Sequence, residues 1–159
     1  MTTPIIRFLN IIVAALLAGV SFGIWIGFNP SGLSLSTFIE QQQNMLQSLR
    51  TLMVFLVVIA TLITILSAYL QKHEKSTFIS LIIAAAFFIA CILVTLLGNK
   101  PIDDIVITWT KDAIPNNWVD LRDNWWSFHI MRTIAEIIAL LLVTWTSINK
   151  DNRRTLKMS

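Results

Sequence analysis

The amino-acid sequence predicts an all-α fold: an integral membrane four-helix bundle, connected up-down-up-down, with an extracytoplasmic cap. Three observations carry this reading. The 159 residues are 55% hydrophobic and only 13% charged, outside the range of soluble globular domains. Four apolar runs, Ile5–Phe28, Leu52–Leu70, Phe78–Leu97 and Ile130–Ile148, come close to or exceed the roughly 20 residues a helix needs to cross a bilayer. The segments between them alternate in charge, as successive spans require. A single membrane domain over residues 1–159 accounts for all three.

The first run is too long for a signal-peptide core of about 7–15 residues, and it continues through Ile24, Trp25 and Ile26 without an A-x-A site. It is expected to be a retained helix, ended by the turn signal Asn29-Pro30-Ser31-Gly32. Ser36 or Thr37 is then expected to cap a helix with Phe38, Ile39, Met45, Leu46 and Leu49 on its apolar side. Gln41, Gln42, Gln43 and Asn44 lie between them, and that helix runs on into the second span. Buried amides seek partners across helices, so this run and Asn10 are candidates for interhelical contacts.

The short link Gln71–Thr77 makes the second and third helices antiparallel neighbours. Gly98-Asn99-Lys100-Pro101 is expected to end the third helix, with Pro101 preventing continuation. Asn117 is the expected N-cap of the fourth, with Asp120 favourable to the helix dipole. From Trp118 to Asn149 that helix is about 48 Å long, against a hydrocarbon core of roughly 30 Å. Its first turns stand outside the membrane.

Orientation follows from charge. Arg7 precedes the first span, Lys72 and Lys75 lie between the second and third, and Lys150, Arg153, Arg154 and Lys157 follow the fourth. Ser31–Gln47 carries only Glu40, whereas Asn99–Phe128 holds Asp103, Asp104, Asp112, Asp120 and Asp123 against Lys100, Lys111 and Arg122. Both termini are therefore expected on the cytoplasmic side, of the plasma or inner membrane if the source is bacterial, with the two long loops outside.

Several functions are excluded. The lone cysteine, Cys91, permits no intrachain disulfide, dithiol chemistry or Cys-based zinc site, and it reads as a small core hydrophobe. The sequence pI near 9.4 reflects membrane topology rather than a phosphate-binding patch, so nucleic acid is not an expected partner. There is no P-loop, HExxH or GxGxxG pattern.

The chemistry is concentrated on the last helix. Arg122, Trp125, Trp126, His129, Arg132, Thr133 and Glu136 fall within about a third of its circumference. A charge in hydrocarbon costs about 3 kcal/mol, so such a row faces a bundle interior and marks a candidate site. It is expected to face a cavity that opens upward between the outer loops, with Phe38–Leu49 as a lid. His129 suits proton transfer from a phenol or enol, or it is a structural histidine on a loop carbonyl. Arg132 and Glu136, at i and i+4, either pair as a scaffold or leave Arg132 an edge to stabilise an enolate or superoxide.

The tryptophans Trp25, Trp109, Trp118, Trp125 and Trp126 suit an interfacial belt, while one of Trp125 and Trp126 can stack on a flat substrate. Trp145 reads as an anchor at the other face. Asn99 is a helix cap or an amide donor to substrate. Asp103 and Asp104 with His129 form a poor transition-metal set, so no metal is expected there. Solvated carboxylates, or a salt bridge to Arg122, are the alternative.

These residues carry a resemblance. Asn99, Pro101, Ile102 and Asp104 at the end of the third span, followed by Trp109, Trp118, Leu121, Arg122, Trp125, His129 and Arg132, resemble the anthrone-oxygenase-like family of small four-span membrane proteins. Members often carry Asn where this chain has Asp104. The resemblance implies a four-helix membrane bundle. In some members it also implies oxidation of a tricyclic phenolic anthrone to an anthraquinone with O₂ and no evident bound cofactor. Two classes of function follow. One is an oxidoreductase acting on a small hydrophobic phenolic or quinone-type molecule, with His129, Arg132 and Glu136 as catalytic candidates and Asn99, Asp104, Trp109, Arg122, Trp125 and Trp126 as binding candidates. The other is a non-enzymatic lipophile-binding or accessory membrane protein whose polar row is structural.

Overall fold

A computed structural model describes residues 2–110 and 113–158, with side chains over 3–110 and 113–148. Lys111 and Asp112 of the outer segment lie outside the described residues, as do the side chains of Lys150, Arg153, Arg154 and Lys157. Helix α1 spans Thr2–Gly27, α2 Leu35–Leu70, α3 Lys75–Val94, α4 Lys100–Val106 and α5 Trp118–Met158. Four stretches of helix are long and apolar enough to cross a membrane, and the third of them runs through α3 and α4 together. The chain is an all-α integral membrane protein, with no strand among the described residues.

After α1 the chain turns as the sequence dictates. The Asn29 carboxamide oxygen accepts from the Ser31 backbone N–H at 3.2 Å and the Ser31 hydroxyl at 2.7 Å, and Pro30 opens a single 3₁₀ turn to Gly32. Ser34, not Ser36 or Thr37, caps α2: its backbone is extended, and its hydroxyl accepts from the Thr37 N–H at 3.3 Å. Ser36 already sits inside the first turn. Helix α2 then continues for 36 residues, about 54 Å.

Pro101 does not end the third helix. Thr95–Asn99 forms one π turn, in which the Lys100 N–H reaches back five residues to the Thr95 carbonyl. Proline ordinarily breaks a helix by lacking an N–H and by clashing with the carbonyl four residues before it. A π turn widens the backbone at that point and admits one extra residue, so Pro101 falls in the first turn of a new segment, α4, where neither defect matters.

The helices form a ring in which α1 packs on α2, α2 on α3, α3 on α5, and α5 on α1. Ala14, Leu17, Ala60, Ala84, Phe88, Ala139 and Val143 make the core of one half, where small residues allow close helix approach. Phe38, Ile102, Val106, Trp109 and Trp125 make a separate, aromatic core in the other half. Side chains such as Phe8, Phe55, Leu62, Leu97 and Leu141 point outward, as a lipid-facing surface requires.

Polar contacts tie the ring across helices. The Thr64 hydroxyl donates to the Asn10 carboxamide at 2.8 Å, and Arg7 donates to the Ser147 carbonyl. Gln43 Nε2 donates to the carbonyls of Val106 and Trp109, each at 3.0 Å, which supplies partners for carbonyls left over at the end of α4. Trp145 is exposed.

Candidate functional site

The polar row of α5 turns inward. His129, Thr133 and Glu136 are fully or almost fully buried. Both nitrogens of His129 are engaged: Nδ1 accepts from Arg132 Nη2 at 3.0 Å and Nε at 3.3 Å, while Nε2 lies 3.2 Å from the Ser21 carbonyl. An acceptor at Nδ1 and a carbonyl at Nε2 assign the neutral tautomer with its proton on Nε2. The ring is stacked on Trp125 and Trp126, with centroids 5.4 Å away in each case. Phe28 meets both indoles edge-on.

Arg132 therefore leans on a histidine. Among the described residues it makes no ion pair with Glu136. Glu136 Oε1 instead accepts from the Cys91 thiol at 3.0 Å, and the buried Ser21 hydroxyl of α1 lies close enough to interact with the same carboxyl group. Cys91 is thus more than a core filler, because it supplies the donor to a buried carboxyl group.

The π turn fixes the other side. Asn99 Nδ2 donates to the Trp125 carbonyl at 3.0 Å, and Asn99 Oδ1 is buried without a hydrogen-bond partner among the described residues. Asn99 has helical backbone angles and makes no cap hydrogen bond, so the expected capping role gives way to a bond between helices. Trp125 Nε1 donates to Asp103 Oδ1 at 2.7 Å. Gly98 lets α5 approach here: a Cβ on it would lie 2.6 Å from Phe128 Cγ. Trp125 is consequently held at both its backbone and its indole.

Between these elements lies a cavity of about 310 Å³, within the range of small-molecule sites. Arg132, Glu136, Cys91, Asn99, Asp103 and Trp125 form its polar side, and Leu17, Ile24, Met45, Leu46, Leu49 and Met53 its apolar wall. Of the segment Phe38–Leu49, all within the continuous helix α2, Met45, Leu46 and Leu49 contribute that wall, while Phe38 and Gln43 join the aromatic core at its end.

Of the candidates, Arg132, Glu136, Asn99 and Trp125 line the cavity, while His129 and Trp126 stack behind it. Trp109 is buried against Phe38 in the aromatic core. Arg122 is buried near the N-terminal end of α5, bonded to Asp123 at 2.8 Å and lying over Trp118. Asp104 pairs with Arg50 and Lys100, each at 2.5 Å, and not with Arg122. The sequence reading missed Cys91, Asp103, Arg50 and Lys100 as cavity residues. Cys91 was discoverable only as a polarisable group at the same membrane depth as Glu136.

Comparison with known proteins gives one family. The family model described as anthrone oxygenase matches residues 43–142, more than half of the chain. No curated protein and no solved structure matches. The chain belongs to the anthrone oxygenase family.

Proposed function

We propose that this family member oxidises a flat, hydrophobic phenolic or quinone-type molecule with O₂ inside the α1–α5 cavity. The observation that supports it most is a largely apolar cavity whose polar side is lined by Arg132 and by the buried Glu136 carboxyl group. In an anthrone-like substrate the reacting carbon is a methylene between two aromatic rings, and its proton is acidic because the anion is an extended enolate. The Glu136 carboxylate accepts that proton, and Arg132 stabilises the enolate and the reduced oxygen species that follows, as electrostatic catalysis requires. The overall step balances as CH₂ + O₂ → C=O + H₂O. One oxygen atom enters the ring carbon and the other leaves as water with the two methylene protons. The substrate anion itself supplies the electrons, so this reaction calls for no bound cofactor.

His129 takes a supporting part. Both its nitrogens are occupied and its ring lies behind the cavity wall, so it orients Arg132 rather than meeting substrate. Asn99 and Trp125 line the cavity, and Trp125, stacked on His129 and Trp126, holds its aromatic edge in place. Asp104, Trp109, Arg122 and Trp126 support the walls.

The test is oxygen uptake by the protein in lipid nanodiscs supplied with an anthrone. We expect one O₂ consumed per quinone formed. Arg132→Ala and Glu136→Gln should each lower turnover about 100-fold or more, the usual cost of losing one preorganised charge-stabilising group. Saturable binding of the lipophile with no oxygen uptake above a heat-inactivated control would instead establish the non-enzymatic lipophile-binding class.

A further inference from the structure

We propose that the cavity is loaded sideways from the bilayer, through a portal between α2 and the π turn. The expected upward route is obstructed. Phe38 and Val106 are fully buried and Trp109 nearly so, and the aromatic core they form shares Met45, Ile24 and Trp125 with the cavity wall. Gln43 holds that roof down through the Val106 and Trp109 carbonyls. The α5 side is equally closed, with Trp125 and Glu136 buried.

The α2–α3 side differs. Val54 is 52% exposed and Leu96 50% exposed, yet both line the cavity, and both belong to membrane-spanning stretches. A side chain that touches the cavity and the outer surface at once marks a place where the wall is one residue thick. Leu96 is there because the π turn carries Thr95, Leu96 and Asn99 to the cavity together. Above the gap, Asp104 of α4 bonds Arg50 of α2 and its own neighbour Lys100. That clasp ties α2 to α4 at the outer rim, so a molecule arriving from water meets an ion-paired bar while one dissolved in lipid meets two aliphatic side chains.

This assigns the ligand class: a flat aromatic that partitions into the bilayer and carries one polar edge, the edge aligning with Arg132 and Asn99 once inside. The inference rests on reading the cavity as the substrate site, but it is tested without turnover. Leu49→Cys in a Cys91→Ser background puts a single thiol on the apolar cavity wall, free of the bond that ties Cys91 to Glu136, and reports access. In nanodiscs, a lipophilic maleimide should label this thiol, whereas a charged, water-soluble thiosulfonate should not. Val54→Trp and Leu96→Trp should each slow lipophilic labelling at least fivefold. Both positions are half-exposed, so melting temperatures should stay within a few degrees, and Val54→Phe and Leu96→Phe serve where they do not. Labelling by the aqueous reagent, indifference to the plugging variants, or no labelling where unfolded protein labels fully would each overturn the portal. Labelling as expected with no oxygen uptake would keep the portal and reject the oxygenase reading.

Discussion

At the scale of single residues, the site depends on polar groups that satisfy one another in a place where water and lipid offer little. Glu136 accepts from the Cys91 thiol and lies beside the Ser21 hydroxyl. Removing the thiol takes its best-placed donor from a buried carboxyl group, a cost of about 1–3 kcal/mol. Cys91→Ala should therefore lower the melting temperature in detergent by several degrees. Cys91→Ser keeps an O–H donor and should stay within about 1 kcal/mol of the parent. Equal losses in both variants would mean that sulfur packing, not donation to Glu136, is what the position supplies. None of this pairing was legible in the sequence, where Cys91 reads as apolar because its partner is 45 residues away. The burial of His129 was legible from the one-sided row, but not that both its nitrogens would be occupied.

At the scale of elements, the π turn Thr95–Asn99 decides where Asn99 and Asp103 point. A π turn amounts to one additional residue in an α-helix, and such turns are frequent at functional sites. Deleting Leu97, which faces outward, should restore α geometry and rotate everything beyond it by about 100°. Asn99 and Asp103 would then leave Trp125, and Pro101 would fall in a helix interior at a cost of roughly 3 kcal/mol. We expect a large loss of thermal stability and a red-shifted tryptophan emission, whereas Leu97→Ala should change neither appreciably. A deletion variant as stable as the parent would show that the extra residue is dispensable. The sequence contains the cause, Pro101, yet proline alone reads as a stop. Its accommodation depends on Gly98 admitting Phe128 and on Asn99 bonding across to α5.

At the scale of the whole molecule, the outward-facing apolar side chains and the ring of four helices describe an integral membrane protein. The loop charges are asymmetric, with Arg7, Lys72 and Lys75 at one end and the acidic segment Asn99–Phe128 at the other, and such asymmetry biases orientation. We propose that both termini are cytoplasmic and that the cavity lies in the outer half of the bundle. A reporter active only in the cytoplasm should work when fused after Ser159 and fail when inserted near Lys111. The reverse pattern would place the portal in the opposite leaflet.

The sequence by itself determined the four spans, the antiparallel order and the face of α5 that turns inward, because the bilayer is a uniform solvent that penalises every misplaced polar group in the same way. Periodicity and hydropathy report that penalty directly. Only the tertiary structure decided that Arg132 rests on His129 instead of Glu136, that Cys91 serves Glu136, and that Asp104 bonds Arg50 at the rim. These are choices among partners of similar polarity, made by distances between helices. The cavity belongs to the same class: no residue encodes it, and it lies where α2, the π turn and the inward face of α5 meet beneath the aromatic core.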